Sequence, residues 1–191
     1  MIRSLCVFCG SRPGARPEFA AAAQQTGSWL ARHGITLVFG GSQVGLMGLA
    51  ADAALAAGGH VIGVIPRALM DREIGHTGVA DLRIVGSMHE RKALMAELSG
   101  AFLALPGGYG TLDELCEILT WALLGMHRKP VGLLNLNGYF DGLLLQLDRA
   151  VQDGFLSPAH RGLLLASNTL EEFLPRLVAA DPSSLDRWVE P

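Results

Sequence analysis

The stretch Ala101–Glu114, AFLALPGGYGTLDE, decides the fold. Its first part, Ala101 to Leu105, is continuously apolar, as a strand covered on both faces must be. A glycine-rich turn, Pro106 to Thr111, follows, and a helical pattern then runs from Leu112 to Met126. Working outward, the same order of short apolar run, turn and longer helical pattern recurs. Strand-like runs lie at Ser4 to Cys9, Thr36 to Phe39, Val61 to Ile65, Leu82 to Val85, Val131 to Leu134 and Leu163 to Ala166. Helical patterns lie between and after them, at Pro17 to His33, Leu46 to Ala57, Met88 to Ser99, Tyr139 to Asp153 and Leu170 to Ala179. This alternation predicts an α/β fold: a Rossmann-like, doubly wound, mainly parallel sheet of six to seven strands flanked by helices. Residues 1–191 read as one domain, with a polar tail from Asp181 along the surface.

Composition narrows the function. Hydrophobic residues make up 50% and charged ones only 17%, which excludes a disordered chain. The net charge of −3 and the absence of any Lys/Arg run argue against nucleic acid as a partner. No apolar run approaches the roughly 18 residues a membrane span needs, so a cytoplasmic protein with no membrane partner is expected. Cys6 and Cys9 form a CxxC inside a strand, with no second Cys or His pair at zinc spacing, and read as buried free thiols. The six histidines show no ligand spacing, so no metal is expected.

Glycine is the compositional outlier, at 24 residues. Nine of them, Gly10, Gly14, Gly40, Gly41, Gly45, Gly48, Gly107, Gly108 and Gly110, fall in three loops after the first, second and fifth strands. In an open parallel sheet the ligand lies beyond the carboxyl ends of the strands, so all three loops should face one crevice. Backbone N–H groups there can close around a phosphate. None of the loops has GxGxxG or GxxxxGK[ST] spacing, so a mononucleotide or sugar phosphate fits better than a dinucleotide or ATP hydrolysis.

Two segments carry charge at the crevice. In Ser87-Met88-His89-Glu90-Arg91-Lys92, Ser87 and Glu90 have capping-box spacing, which makes Glu90 structural. Arg91 and Lys92 place two cations in a first helical turn, against the macrodipole, and a bound phosphate would relieve them; two solvated surface cations are the alternative. Thr111 and Glu114 also have capping-box spacing, with Thr111 as N-cap. On spacing alone the cap is favoured, but a carboxylate beside a phosphate-binding turn needs a chemical reason, so Glu114 is also a candidate base or charge stabiliser. Glu117 lies one turn further on.

These two segments together resemble the paired signature of the Lonely Guy (LOG) family, the cytokinin riboside 5′-monophosphate phosphoribohydrolases. FCGS at Phe8 to Ser11, GGSQVGLMG at Gly40 to Gly48, and the region from Pro66-Arg67 to Glu73-Ile74 extend the resemblance over most of the chain. It implies a Rossmann-like dimer that needs no cofactor. Its reaction would be hydrolysis of N6-substituted adenosine 5′-monophosphates, with AMP as a further candidate, to free base and ribose 5-phosphate. Carried over by position, Arg91 and Glu114 are the catalytic residues. Ser11, Gly41, Glu73, Met88, Lys92, Gly107, Gly108, Tyr109, Gly110, Thr111 and Thr120 are the substrate and phosphate contacts. Asp113 departs from the glutamate many relatives carry.

The implied chemistry suits those residue types. An oxocarbenium-like transition state is stabilised by a carboxylate, which can also activate the attacking water, and an arginine can bind phosphate or ribose hydroxyls. Asp113, Glu90 or solvent could protonate the leaving base. Members of the family are often labelled lysine decarboxylases, but pyridoxal phosphate chemistry needs a lysine, and only Lys92 and Lys129 exist. A non-catalytic nucleotide sensor or carrier is the competing reading, since it needs the cradle without the carboxylate. The apolar residues Leu115, Ile118, Leu119, Ala122 and Leu123 exceed what one helix face needs, and a homodimer would bury the remainder.

Overall fold

The computed structural model describes residues 2–70, 72 and 74–180. In chain order the elements are β1 (Ser4–Phe8), α1 (Pro17–Arg32), β2 (Thr36–Phe39), α2 (Gly45–Ala56), β3 (Val61–Pro66), α3 (Arg67–Met70), β4 (Asp81–Val85), α4 (Met88–Leu98), β5 (Ala101–Ala104), α5 (Tyr109–Leu123), β6 (Val131–Leu134), a 3₁₀ turn (Leu136–Gly138), α6 (Asp141–Gln152), α7 (Pro158–Arg161), β7 (Leu164–Ser167) and α8 (Leu170–Ala179). Seven strands form one sheet in the order β4-β3-β2-β1-β5-β6-β7, every pair parallel. The expected doubly wound architecture is therefore present. The two short helices α3 and α7 escape sequence reading because four residues are too few to set a helical period.

Side-chain alternation along the strands divides the core between the two faces. Leu5, Val7 and Cys9 pack with α1, α2 and α8, while Cys6 and Phe8 pack with α4, α5 and α6. An offset of three residues in a strand reverses the face, so Cys6 and Cys9 lie on opposite sides of the sheet. Both are buried free thiols, and burial raises their pKa values far above the ordinary thiol range. Strand β4 departs from the expectation of full cover. It is the sheet edge, with Ile84 exposed and Arg83 paired to Asp81 at 3.0 Å.

The small residues of α1 and α2 let the helices approach closely. A Cβ added at Gly27 would lie 2.0 Å from the Ala50 carbonyl oxygen, among the buried Ala22, Ala23, Ala51 and Ala54. Gly27→Ala is accordingly expected to cost about 1–3 kcal/mol in urea unfolding, because backbone cannot yield as a flexible side chain does. Unchanged stability would show that α1 can shift without loss.

The sheet order reverses direction between β1 and β5, and a crevice opens at such a switch point. The loops after these strands are joined directly, since Gly10 N–H donates to the Pro106 carbonyl at 3.0 Å. Leu46 N–H donates to the Gly10 carbonyl, also at 3.0 Å, and ties in the loop after β2. The three glycine loops thus meet at one place, as their positions in the sequence implied.

Candidate active site

Helix α4 delivers Arg91 to the crevice. Its N-cap is Ser87, whose Oγ accepts from Glu90 N–H at 3.1 Å, while Glu90 Oε2 accepts from Gly86 N–H at 2.8 Å. Glu90 is thus a capping residue. One turn of helix places Arg91 beneath the loops, 7% exposed. Its Nε donates to the Val64 carbonyl at 3.1 Å, Nη1 to Glu114 Oε1 at 3.0 Å and Nη2 to the Gly40 carbonyl at 3.2 Å. Each guanidinium nitrogen is engaged, and one side chain ties β3, the loop after β2 and α5 together. A Cβ at Gly40 would lie 1.7 Å from Nη2, so this glycine makes room for the arginine rather than for a phosphate.

Helix α5 starts at Tyr109, with Gly108 as N-cap, and no side chain caps it. The Thr111 and Glu114 capping box expected from spacing therefore does not form. The helix runs through Gly110, which places Thr111 inside its first turn and turns Glu114 inward to Arg91. Glu114 is 8% exposed, and its carboxyl is pushed up from 4.5 to about 7. Burial is the largest cause; Arg91 pulls the other way, Asp113 adds to the rise, Lys92 opposes it and Glu117 adds again.

Lys92 is held by α5 as well, with Nζ 3.0 Å from Asp113 Oδ2 and 3.1 Å from Glu117 Oε1. Burial works against its charge, but these two hydrogen bonds outweigh it and raise the ammonium pKa. The anions that relieve the two cations of α4 are thus carboxylates of α5. Both cations are largely buried in these pairs, so they are not the solvated surface charges of the alternative reading.

Arg91 and Glu114 form one wall of a cavity of about 340 Å³, a size suited to a small ligand. Ser11, Gly108, Tyr109, Gly110 and Thr111 line it too. A second hollow of about 610 Å³ continues past Ser11, Gly108 and Tyr109 to Gly107, Arg12, Phe19 and Tyr139, whose hydroxyl donates to the Gly107 carbonyl at 2.7 Å. A Cβ at Gly108 or Gly110 would meet nothing within 4 Å, so the space beside this turn is open to a ligand.

Other sequence candidates lie elsewhere. Gly41 has φ +73°, and a Cβ there would meet Ile65, so it packs on β3 behind the cavity. Lys92 does not line the cavity. Met88 is exposed at the start of α4. Thr120 donates to the Cys116 carbonyl at 2.7 Å and faces an apolar hollow on the other side of α5. Glu73 lies outside the described residues. The apolar walls contributed by Val44, Met47, Leu69 and Ile74 were not foreseen, because aliphatic residues carry no chemical signature; only their loops' place beyond the strand ends points to them.

A family model described as "Possible lysine decarboxylase" matches residues 47–177. "Cytokinin riboside 5'-monophosphate phosphoribohydrolase LOG7" of Arabidopsis thaliana is 49% identical over 180 residues, covering 94% of this chain and 83% of that protein. The chain belongs to the LOG family. "Probable cytokinin riboside 5'-monophosphate phosphoribohydrolase LOGL5" of Oryza sativa subsp. japonica is 52% identical over 175 residues, covering 92% and 71% respectively. In fold, the chain is similar to the Moco carrier protein from Chlamydomonas reinhardtii, with a TM-score of 0.70, 23% identity, and 94% and 99% of the two chains covered. A molybdenum cofactor binding protein from Rippkaea orientalis also gives a TM-score of 0.70, at 24% identity over 94% and 99%.

The residues of this LOG chain do not fit the decarboxylase description. Pyridoxal phosphate chemistry requires a lysine at the reacting centre. Lys129 Nζ donates to the Ala96 carbonyl at 2.7 Å and lies over the Phe102 ring, while Lys92 is clamped by its two carboxylates. Neither lines the cavity that holds Arg91 and Glu114. Among the described residues no group of three or more His, Cys, Asp or Glu could hold a metal ion, and no helix is long and apolar enough to cross a membrane.

Proposed function

We propose that this site hydrolyses the N-glycosidic bond of N6-substituted adenosine 5′-monophosphates, releasing the free base and ribose 5-phosphate. The observation that carries the reading is the buried Arg91–Glu114 pair, opening on a cavity at the β1/β5 switch point of a chain about half identical to named phosphoribohydrolases. The enzyme is an N-glycosidic hydrolase. As the C1′–N9 bond breaks, its electron pair leaves with the base and positive charge develops on the ribose. The Glu114 carboxylate stabilises that charge and takes a proton from the water that attacks C1′. Arg91 holds Glu114 in place and favours its ionised form. Asp113 and Glu90 are committed to Lys92 and Gly86 and do not line the cavity, so the departing base takes its proton from solvent. A carrier would need the cavity but not this carboxylate.

We assign the phosphate to the open turn around Gly108 to Thr111, because α5 starts there with no side-chain cap and its first N–H groups are free to bind an anion. The apolar walls at Val44, Met47, Leu69 and Ile74 favour a substrate with an N6 substituent over AMP. Parallel assays with isopentenyladenosine monophosphate, AMP and isopentenyladenosine test this directly. Fastest cleavage of the first supports the reading, whereas equal rates on the unphosphorylated nucleoside contradict it.

Because ionised Glu114 does the chemistry and its carboxyl sits near 7, kcat/KM should rise with pH through about 7 and then level off. Rates measured from about pH 5 to 9 check this, and a profile flat across neutrality would remove Glu114 as the titrating base. We further place the enzyme in the cytoplasm as a homodimer. Its cysteines are free, and α6 buries none of its residues within one chain. Leu119, Leu123, Leu147 and Leu156 line the apolar hollow that Thr120 faces, and a second copy would cover it.

A further inference from the structure

His76 takes no part in the chemistry above, yet it is 6% exposed and its ring is fully tied down. Gly78 N–H donates to Nδ1 at 3.2 Å, which places the ring proton on Nε2. Nε2 in turn donates to Asp52 Oδ1 of α2 at 3.0 Å, and the ring stands edge-on to Phe39. The backbone around it is stitched to the loop after β2. His76 N–H donates to the Gly41 carbonyl and Gln43 N–H to the Ile74 carbonyl, both at 2.9 Å, and Ser42 and Gly75 form an antiparallel bridge.

Both sides of this stitch carry parts of the active site. Ile74 and Ser42 line the cavity, and Gly40, next to Gly41, offers the carbonyl on which Arg91 Nη2 rests. A core histidine needed only for stability would hold atoms remote from the reaction. This one holds a cavity wall and the support of the catalytic arginine.

We propose that His76 is a positioning residue for the hydrolysis: by fixing residues 74–79 to Asp52 and Gly41 it sets the Ile74 wall and the Gly40 carbonyl that orients Arg91. The proposal rests on the hydrolase reading of the cavity. Asp52 offers a mild test, because its side chain is 67% exposed and its truncation opens no core. His76→Asn keeps an acceptor for Gly78 N–H but falls short of Asp52, whereas His76→Gln keeps a donor at the far end.

The test compares wild type with Asp52→Ala, His76→Asn and His76→Gln by steady-state cleavage of isopentenyladenosine monophosphate, AMP binding by calorimetry, and thermal midpoint. Asp52→Ala and His76→Asn should lose about tenfold in kcat/KM, with KM carrying most of the loss and AMP affinity falling in parallel. His76→Gln should recover part of it, and the Asp52→Ala midpoint should stay at the wild-type value. Constants and affinities within about twofold of wild type, whatever the midpoints, would make His76 structural only and overturn the proposal. If wild type cleaves no nucleotide, the hydrolase reading falls while the AMP affinities still decide: loss in the first two variants with recovery in the third supports the positioning role, and equal affinities refute it.

Discussion

Glu114→Gln is expected to bind nucleotide with near wild-type affinity and to lose about a thousandfold in kcat. Glutamine is isosteric, and its carbonyl oxygen can still accept from Arg91 Nη1, so the cavity keeps its shape. What disappears is the negative charge that meets the oxocarbenium ion and the base that takes the proton of water. The pH profile should lose its rise near 7 as well. Stability supplies an independent check of the same carboxyl. Its folded pKa, about 7, lies above the ordinary 4.5, so the folded protein holds the proton over that interval while the unfolded chain has released it. The associated stability is fully present below 4.5 and is lost as pH rises through about 7. Urea unfolding of wild type should therefore weaken relative to Glu114→Gln across this window and run parallel above it. A constant difference would mean that burial does not govern this carboxyl.

Arg91→Ala should be worse for the fold and as damaging for the reaction. Three acceptors, the Val64 and Gly40 carbonyls and Glu114, lose their donor together. Removing one partner of a buried ion pair costs about 3–5 kcal/mol, because the remaining charge has no solvent to turn to. Arg91 is also the main influence lowering the Glu114 pKa, so its loss drives that carboxyl further toward the neutral, inactive form. Arg91→Lys should rescue little, since one ammonium cannot span three acceptors held by three different elements. Urea titration and base-release assays read both effects. An Arg91→Ala protein of wild-type stability would contradict the buried pair as described.

Much of this architecture was legible because it is written in local pattern. The apolar runs at Val131–Leu134 and Thr36–Phe39 became β6 and β2 without change of bounds, and glycine loops at the ends of β1, β2 and β5 had to converge once the sheet was parallel. Partnerships between distant residues were not legible. Arg91 and Lys92 looked like cations needing an anion, and the anions proved to be Glu114 and Asp113, 23 and 21 residues away. The carbonyl that holds Nη2 belongs to Gly40, 51 residues away. Local spacing also misled at Thr111. Gly110 reads as part of the turn ahead of the helix, yet α5 begins before it at Tyr109, and that shift puts Thr111 and Glu114 in a buried cavity wall instead of a cap. Leu69 and Ile74 lie in a segment that the family resemblance covers, yet nothing marked them as cavity walls, because an aliphatic side chain becomes a binding surface only through where the chain puts it.

The most direct test of the central reading is the identity and balance of the products. Purified protein incubated with isopentenyladenosine monophosphate, and analysed by chromatography, should yield free isopentenyladenine and ribose 5-phosphate in equal amounts, with Glu114→Gln leaving the nucleotide intact. Intact nucleotide under saturating wild-type enzyme would contradict the account and leave the cavity as a binding site without chemistry.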